Sequence, residues 1–536
     1  MTSPLIEKQP RVCFISFSPI ADDARVRRHG DALHEIGWTV SAVGYPARSA
    51  PVPDWTIVDT VPDLLEQGDT DRSPDRDERR EVEEQIAAAR RRASQAKKEL
   101  ILSRASDLRS ACAAAGGAVS RGRATISHGV PLLGVLIPYA AAFAYWRVRG
   151  FGGEVRGGFV SLLKPVTRRL FSLRRRAEHA VLKCLGVHRI APEVTSWQEF
   201  KPYLSLLQAH VDSKRALEIY WSWPTVTEMY AKARTIDTDL WVANDWITLP
   251  IVAKLVEEKG GSYIYDSHEF GTQEYPNDPR WRAFTQPIAR AVERRFIRDA
   301  KFRFSVSPGI SKELTALYRL DVPCAVIRNM PHRQDPVFRP TGEKVRVLYH
   351  GIVAEERGLE AAIESVGSWR PEFSLTIRGP GHPDYIARLA SLIRSAGVSD
   401  RVEIAPPVPV TELVRAAKEF DIGFFALPDN SLHNQFALPN KFFEYVNSGL
   451  ALCVTNCPDM AELTRRHDLG VLIDSMRPES IAAAINGLDR VLIDRYKQNA
   501  IRASETLCWQ SERWKLVDAC KIGIAAAHTP LAARTD

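Results

Sequence analysis

Residues 437–449 read ALPNKFFEYVNSG, which sets Pro439, Asn440 and Lys441 ahead of Glu444 and a closing Gly449. The spacing predicts a short helix. Asn440 is its expected N-cap, with a side-chain oxygen to take an orphan amide hydrogen, and Gly449 is its expected stop. Phe442, Phe443 and Val446 supply the apolar side. The positive end of such a helix, next to a lysine, suits an anion, while a solvated helix start is the plain alternative. Gly351 and Gly379 close two apolar runs, where a missing side chain either lets backbone approach a ligand or merely turns the chain.

These residues need a frame, and the apolar runs describe one. RVCFISF (11–17), a helical stretch ending at Gly37, and TVSAVGY open an α/β unit. The pattern resumes with LWVAND (240–245), SYIYDSHE (262–269), FRFSVS (302–307) and CAVIRNM (324–330). A second series starts at VRVLYHG (345–351) and runs through FSLTIRG, RVEIAP, DIGFFAL, LALCVTN and GVLID (470–474). Continuous apolar strands alternating with helices predict two Rossmann-like halves with parallel sheets.

The 536 residues carry 45% hydrophobic and 26% charged side chains, the balance of a folded protein with more than one domain. The first residues meet charge before building an apolar run, so a secretory signal is not expected, and the scattered cysteines are expected as buried thiols of a reducing cytoplasm. The net charge is +7, yet Arg121–Arg189 alone holds 13 Lys or Arg against two Glu, a balance of +11 that leaves −4 for the rest. A basic excess confined to one segment argues against a nucleic-acid-binding face.

That segment lies in an interruption of roughly 170 residues, too long for a loop. Its first part, 72–110, is dense in Arg, Glu and Ala and is expected as a solvated helical arm. Its second part has no Lys, Arg, Asp or Glu from Ala124 through Trp146. A single bilayer crossing would place strands of one sheet on opposite sides of a membrane, and Pro131 and Pro138 interrupt a straight helix. The remaining expectation is a re-entrant or interfacial segment, with 124–189 on an anionic membrane surface; a buried hairpin with an exposed basic face is the alternative.

The blocks YHGIVAEERGLEAAIES, LTIRGPG, DIGFFALP and LPNKFFEYVNSGLALCVTN, with DARVRRHGDALHEIG, VAND and YDSHE before them, resemble retaining GT-B glycosyltransferases of the large family four. The likeness is to bacterial polysaccharide-assembly members with a PNKxFEY-type motif. It implies an N-terminal acceptor domain at 10–335, interrupted at about 62–235, a donor domain at 340–505, and a helix at 506–525 crossing back, marked by Trp509 and Glu512. It further implies a metal-independent hexosyltransferase-like enzyme with no cofactor, which takes a UDP- or GDP-linked sugar as substrate and a lipid-linked or glycan acceptor. The expected location is the inner face of the cell membrane.

Residue by residue, the resemblance puts Arg357 and Lys441 on the leaving diphosphate, where cations and amide dipoles meet developing negative charge. Glu444 takes the ribose hydroxyls. Gly351, Gly379, Asn434, Pro439 and Asn440 complete the donor side. His268 comes near the transferred sugar, with Glu269, Asp245, Asp23 and Arg25 toward the acceptor cleft. Two positions depart from the family pattern. Phe436 stands where a first glutamate would meet the sugar, and Ile352 stands where many members carry a cation. Donor-sugar contacts are therefore expected through Asn434 or the 433–438 backbone. A nucleotide-sugar epimerase and a catalytically weakened scaffold subunit are the competing readings.

Overall fold

The structure, a computed structural model, describes residues 9–48, 50–60, 181–183 and 186–527. Two parallel sheets organise them. The first, in the order β3-β2-β1-β4-β5-β6-β7, comprises β1 (Arg11–Pro19), β2 (Thr39–Tyr45), β3 (Thr56–Asp59), β4 (Leu240–Asn244), β5 (Ser262–Ser267), β6 (Arg303–Ser305) and β7 (Ala325–Val326). The second, in the order β10-β9-β8-β11-β12-β13, comprises β8 (Val345–His350), β9 (Phe373–Arg378), β10 (Val402–Ala405), β11 (Ile422–Phe425), β12 (Ala451–Thr455) and β13 (Gly470–Ile473). The central strands are apolar throughout, with all five residues of β4 and of β12 buried, because helices cover both faces of each sheet.

The α/β, two-domain expectation therefore stands, with differences at the edges. β3 was not anticipated; four residues are too short to display a period, and only pairing with β2 makes TIVD a strand. The runs at 302–307 and 324–330 contract to three and two residues, since they lie toward the far edge of the sheet. The interruption is also shorter than expected at its C-terminal end. Helices Ser213–Trp221 and Pro224–Ala233 bury Ile219, Tyr220, Val226 and Met229 in the N-terminal core, and Tyr220 Oη donates to Ile247 O at 2.6 Å. Their apolar faces make them a layer of that domain. The arm expected at 72–110 and the apolar stretch at 124–146 lie outside the described residues. No described helix is long and apolar enough to cross a membrane.

The Trp509–Ala527 helix packs on the N-terminal sheet. Trp509 is 1% exposed and stacks on His29 at 5.4 Å, and Glu512 Oε1 accepts the Arg328 N–H at 2.9 Å. Ser262 Oγ donates to Gly523 O at 2.6 Å, which fastens the helix to β5.

Candidate functional site

Strand order reverses between β1 and β4 in the first sheet and between β8 and β11 in the second. At such a switch point the connections leave in opposite directions and open a crevice beyond the strand C-termini, the usual place for a ligand in open α/β sheets. Several residues named from the sequence or from the family resemblance sit at these ends. Gly351 follows β8, Gly379 follows β9, Asp245 follows β4, and His268 and Glu269 follow β5.

On the C-terminal side, the Asn440–Asn447 helix buries Phe442, Phe443, Tyr445 and Val446, which turns Lys441 and Glu444, three residues apart, to a common polar face. Its start differs from expectation. Pro439 occupies the N-cap position and Asn440 is the first helical residue, so no side chain caps the leading amides. Proline at that point supplies the extended φ of −71° without a competing acceptor. The helix stops as expected, with Gly449 left-handed at φ +71°.

The Lys441 ammonium lies over the rings of Phe425 and Tyr349, 4.4 and 5.2 Å from their centroids. Gly351, at φ +128°, leaves it room: a Cβ there would sit 2.8 Å from Lys441 Nζ. Burial, with repulsion from Arg357 added, brings the Lys441 ammonium down to about 7 against the pull of Glu444. Arg357 is half-buried and makes no ion pair among the described residues. Burial alone would raise the Glu444 carboxyl; His350, Lys441 and Arg28 outweigh it and hold the group below its ordinary range. Gly379 has a different job from the one expected. A Cβ there would strike Gly351 O at 1.8 Å, so its missing side chain admits neighbouring backbone.

One of the two departures, Phe436, resolves into packing. The Phe436 ring lies on the N-terminal domain, where a Cβ on Gly309 would meet its Cδ1 at 2.1 Å. Beside it, Asp459 Oδ2 accepts the Gly309 N–H at 2.8 Å. Ile352 is 58% exposed. Asn434 sits on the short Leu432–Gln435 helix with its side-chain amide donating to Asn430 Oδ1 at 3.2 Å.

On the N-terminal side two expectations are corrected. Arg25 is 1% exposed and holds Asp266 with Nε and Nη2, both at 2.7 Å, so it belongs to the interior and not to a cleft. Asp23 is the N-cap of the Ala24–Glu35 helix; its Oδ1 accepts the Arg25 and Val26 amides and its Oδ2 the Ser18 hydroxyl. Asp245 has a left-handed φ of +62°, held by its N–H to Asp266 O at 2.8 Å and by the Glu269 N–H on its Oδ1 at 3.0 Å. Burial, with Glu269 next, pushes its carboxyl well above the ordinary range. Glu274 joins this group, pushed up to about 7 chiefly by burial. Glu269 pairs across the domains with His433 Nε2 at 3.3 Å. His268 is half-buried next to this group.

Three residues escaped sequence reasoning. His350 places Nε2 2.9 Å from Glu444 Oε2, off the ring N–H axis. Arg28 donates to Asn329 Oδ1 and adds positive potential at Glu444 from the N-terminal domain. His433 is the cross-domain partner just described. Arg28 stands three residues after Arg25 on the same helix, and His350 directly precedes Gly351, so adjacency to chosen residues was the available signal. Among the described residues no cluster of His, Cys, Asp and Glu has the arrangement of a metal site.

Comparison with known proteins agrees with this architecture. Residues 344–489, the C-terminal domain, match the family described as glycosyl transferases group 1. The chain matches no curated protein. Among solved structures it is similar to a sucrose-phosphate synthase from Thermosynechococcus elongatus, with a TM-score of 0.54 and 13% identity over 97% of this chain and 100% of that one. It is also similar to a glycosyltransferase from Rickettsia africae (TM-score 0.49, 10% identity, 96% and 99% covered). HepE from Anabaena, solved with UDP, aligns at a TM-score of 0.45 and 16% identity over 56% of this chain and 82% of that one. The first of these carries the fold, and the two sheets are those of a GT-B architecture.

Proposed function

We propose that this protein is a glycosyltransferase that moves a sugar from a nucleotide-sugar donor, UDP- or GDP-linked, to a lipid-linked or glycan acceptor, with retention and without a catalytic metal. The observation that carries the reading is the juxtaposition of Lys441 and Arg357 with Glu444 at the switch point of the C-terminal sheet, in the part of the chain that matches glycosyl transferases group 1. A departing diphosphate needs positive charge that is in place before the bond breaks. Lys441, Arg357 and the uncapped amides of the Asn440–Asn447 helix supply it from the chain itself. Glu444, ionised and 14% exposed, is a hydrogen-bond acceptor suited to ribose hydroxyls. His268 and Glu269 face the transfer from the other domain, where the acceptor binds.

The acceptor class and the position at the inner face of the cell membrane follow from the uncharged stretch 124–146 and the basic run after it. The test is a donor panel offered with lipid-linked saccharides in anionic vesicles, with and without chelator, reading diphosphate release and product mass. Acceptor-dependent release that survives chelation and falls at least 100-fold in Lys441→Ala and Arg357→Ala, with the fold intact, is expected (about 3 kcal/mol of lost charge stabilisation). Donor turnover that ignores acceptor, or is indifferent to both substitutions, overturns the reading.

A further inference from the structure

We propose that His350 is a positioning residue, which holds the Glu444 carboxylate in the orientation that meets the ribose of a bound nucleotide. The inference rests on the ribose assignment of Glu444 made above. It begins at Gly423 in β11, where a Cβ would strike Tyr445 Cγ at 2.2 Å. Only a residue without a side chain lets the Tyr445 ring lie flat against the strand. Seated there, Tyr445 Oη donates to Phe424 O at 3.1 Å and accepts the His350 N–H at 3.0 Å. The end of β8 is thereby fastened to β11 and to the Asn440–Asn447 helix at once.

The same tyrosine fixes the imidazole. The His350 ring stacks on Tyr445 with centroids 4.7 Å apart and planes at 27°. It is 1% exposed, and neither ring nitrogen makes a hydrogen bond of good geometry among the described residues. Its Nε2 lies 2.9 Å from Glu444 Oε2, off the ring N–H axis. A histidine kept only for packing would not need a buried imidazole set beside a carboxylate, since an apolar side chain fills that space without the cost of desolvating a polar ring. Glu444 in turn retains Oε1, which takes no hydrogen bond from the described residues, on the polar face it shares with Lys441. Oε2 faces the buried imidazole, and Oε1 is offered. Side-chain order set by the protein's own packing lowers the cost of ordering on binding.

The experiment compares His350→Leu, which keeps apolar volume, with His350→Gln, which keeps a donor amide, alongside Glu444→Gln and the His350→Leu/Glu444→Gln double variant. Each full-length protein is titrated by calorimetry with UDP, GDP and their 2′,3′-dideoxy counterparts, with circular dichroism and melting temperature recorded. The wild type should prefer the ribose forms. His350→Leu should weaken binding of the ribose form about 10- to 100-fold, the loss of the polar group that orients the carboxylate, and leave the dideoxy form unchanged. His350→Gln should recover most of the loss, and the double variant should bind no worse than Glu444→Gln alone. Equal losses on ribose and dideoxy forms, equal behaviour of Leu and Gln, or additive losses in the double variant would overturn the proposal. If Glu444→Gln keeps the ribose preference, the ribose assignment fails and the proposal with it, while dependence of binding on Lys441 tests the diphosphate assignment separately. If Glu444→Gln loses the preference and His350→Leu keeps it, only the positioning role of His350 is wrong. If neither nucleotide binds the wild type, both readings fall.

Discussion

The Lys441 ammonium stands at about 7, where an exposed lysine would lie near 10.4, so the fold holds this cation against a penalty of about 5 kcal/mol. The causes are burial first and Arg357 second, and a bound diphosphate opposes both with negative charge. Binding should therefore return the proton to Lys441. The sign follows from linkage: the group binds a proton more tightly in the complex, so affinity is full below pH 7 and declines as pH rises through the free-state value. Between pH 7 and pH 9 the protonated fraction falls from about one half to about one hundredth, and affinity for UDP or GDP should fall about 50-fold if the bound ammonium stays charged throughout. The nucleotide's own phosphate ionises near pH 6, below this window. Calorimetry at pH 8 in buffers of different ionisation enthalpy should register the uptake of close to one proton. In Lys441→Arg the guanidinium stays charged, so the profile should be flat over the same range. A flat profile in the wild type, or the same slope in Lys441→Arg, would refute the assignment of the titrating group.

Arg25→Ala leaves Asp266 buried and unpaired, so it should cost about 3–5 kcal/mol of stability in chemical denaturation. Nucleotide affinity of the remaining folded protein should be unchanged, and a selective loss of affinity would return Arg25 to the cleft. Phe436→Glu, which restores the residue type the family resemblance expects, should lower the melting temperature, because a carboxylate would be pressed against Gly309 beside Asp459. No gain in transfer rate is expected; a gain with unchanged stability would show that position 436 faces the sugar.

The sequence by itself carried the frame. Strands β4, β5, β8 and β12 lie where their apolar runs place them, because a parallel sheet covered on both faces demands unbroken apolar segments. The Asn440–Asn447 helix was legible for the same reason: Phe442, Phe443 and Val446 recur at helical spacing, and all three are fully buried. Gly351 was chosen as a strand end, and its φ of +128° confirms a backbone that few other residues adopt. Local rules failed where long-range contacts outbid them. Asp23 and Arg25 are adjacent to a strand end, as ligand-binding residues often are, yet one caps a helix and the other pairs with a residue 241 positions away. Gly379 is a strand-end glycine whose neighbour is Gly351 O. Phe436 looked like a missing acid and is a wedge on the other domain. His350, Arg28 and His433 became visible only when the two sheets brought β8, the Ala24–Glu35 helix and the Leu432–Gln435 helix beside Glu444 and Glu269. Periodicity records which face of an element is buried. What that face meets, and therefore whether a charged side chain is a cap, a brace or a ligand contact, is set by distances that close in three dimensions.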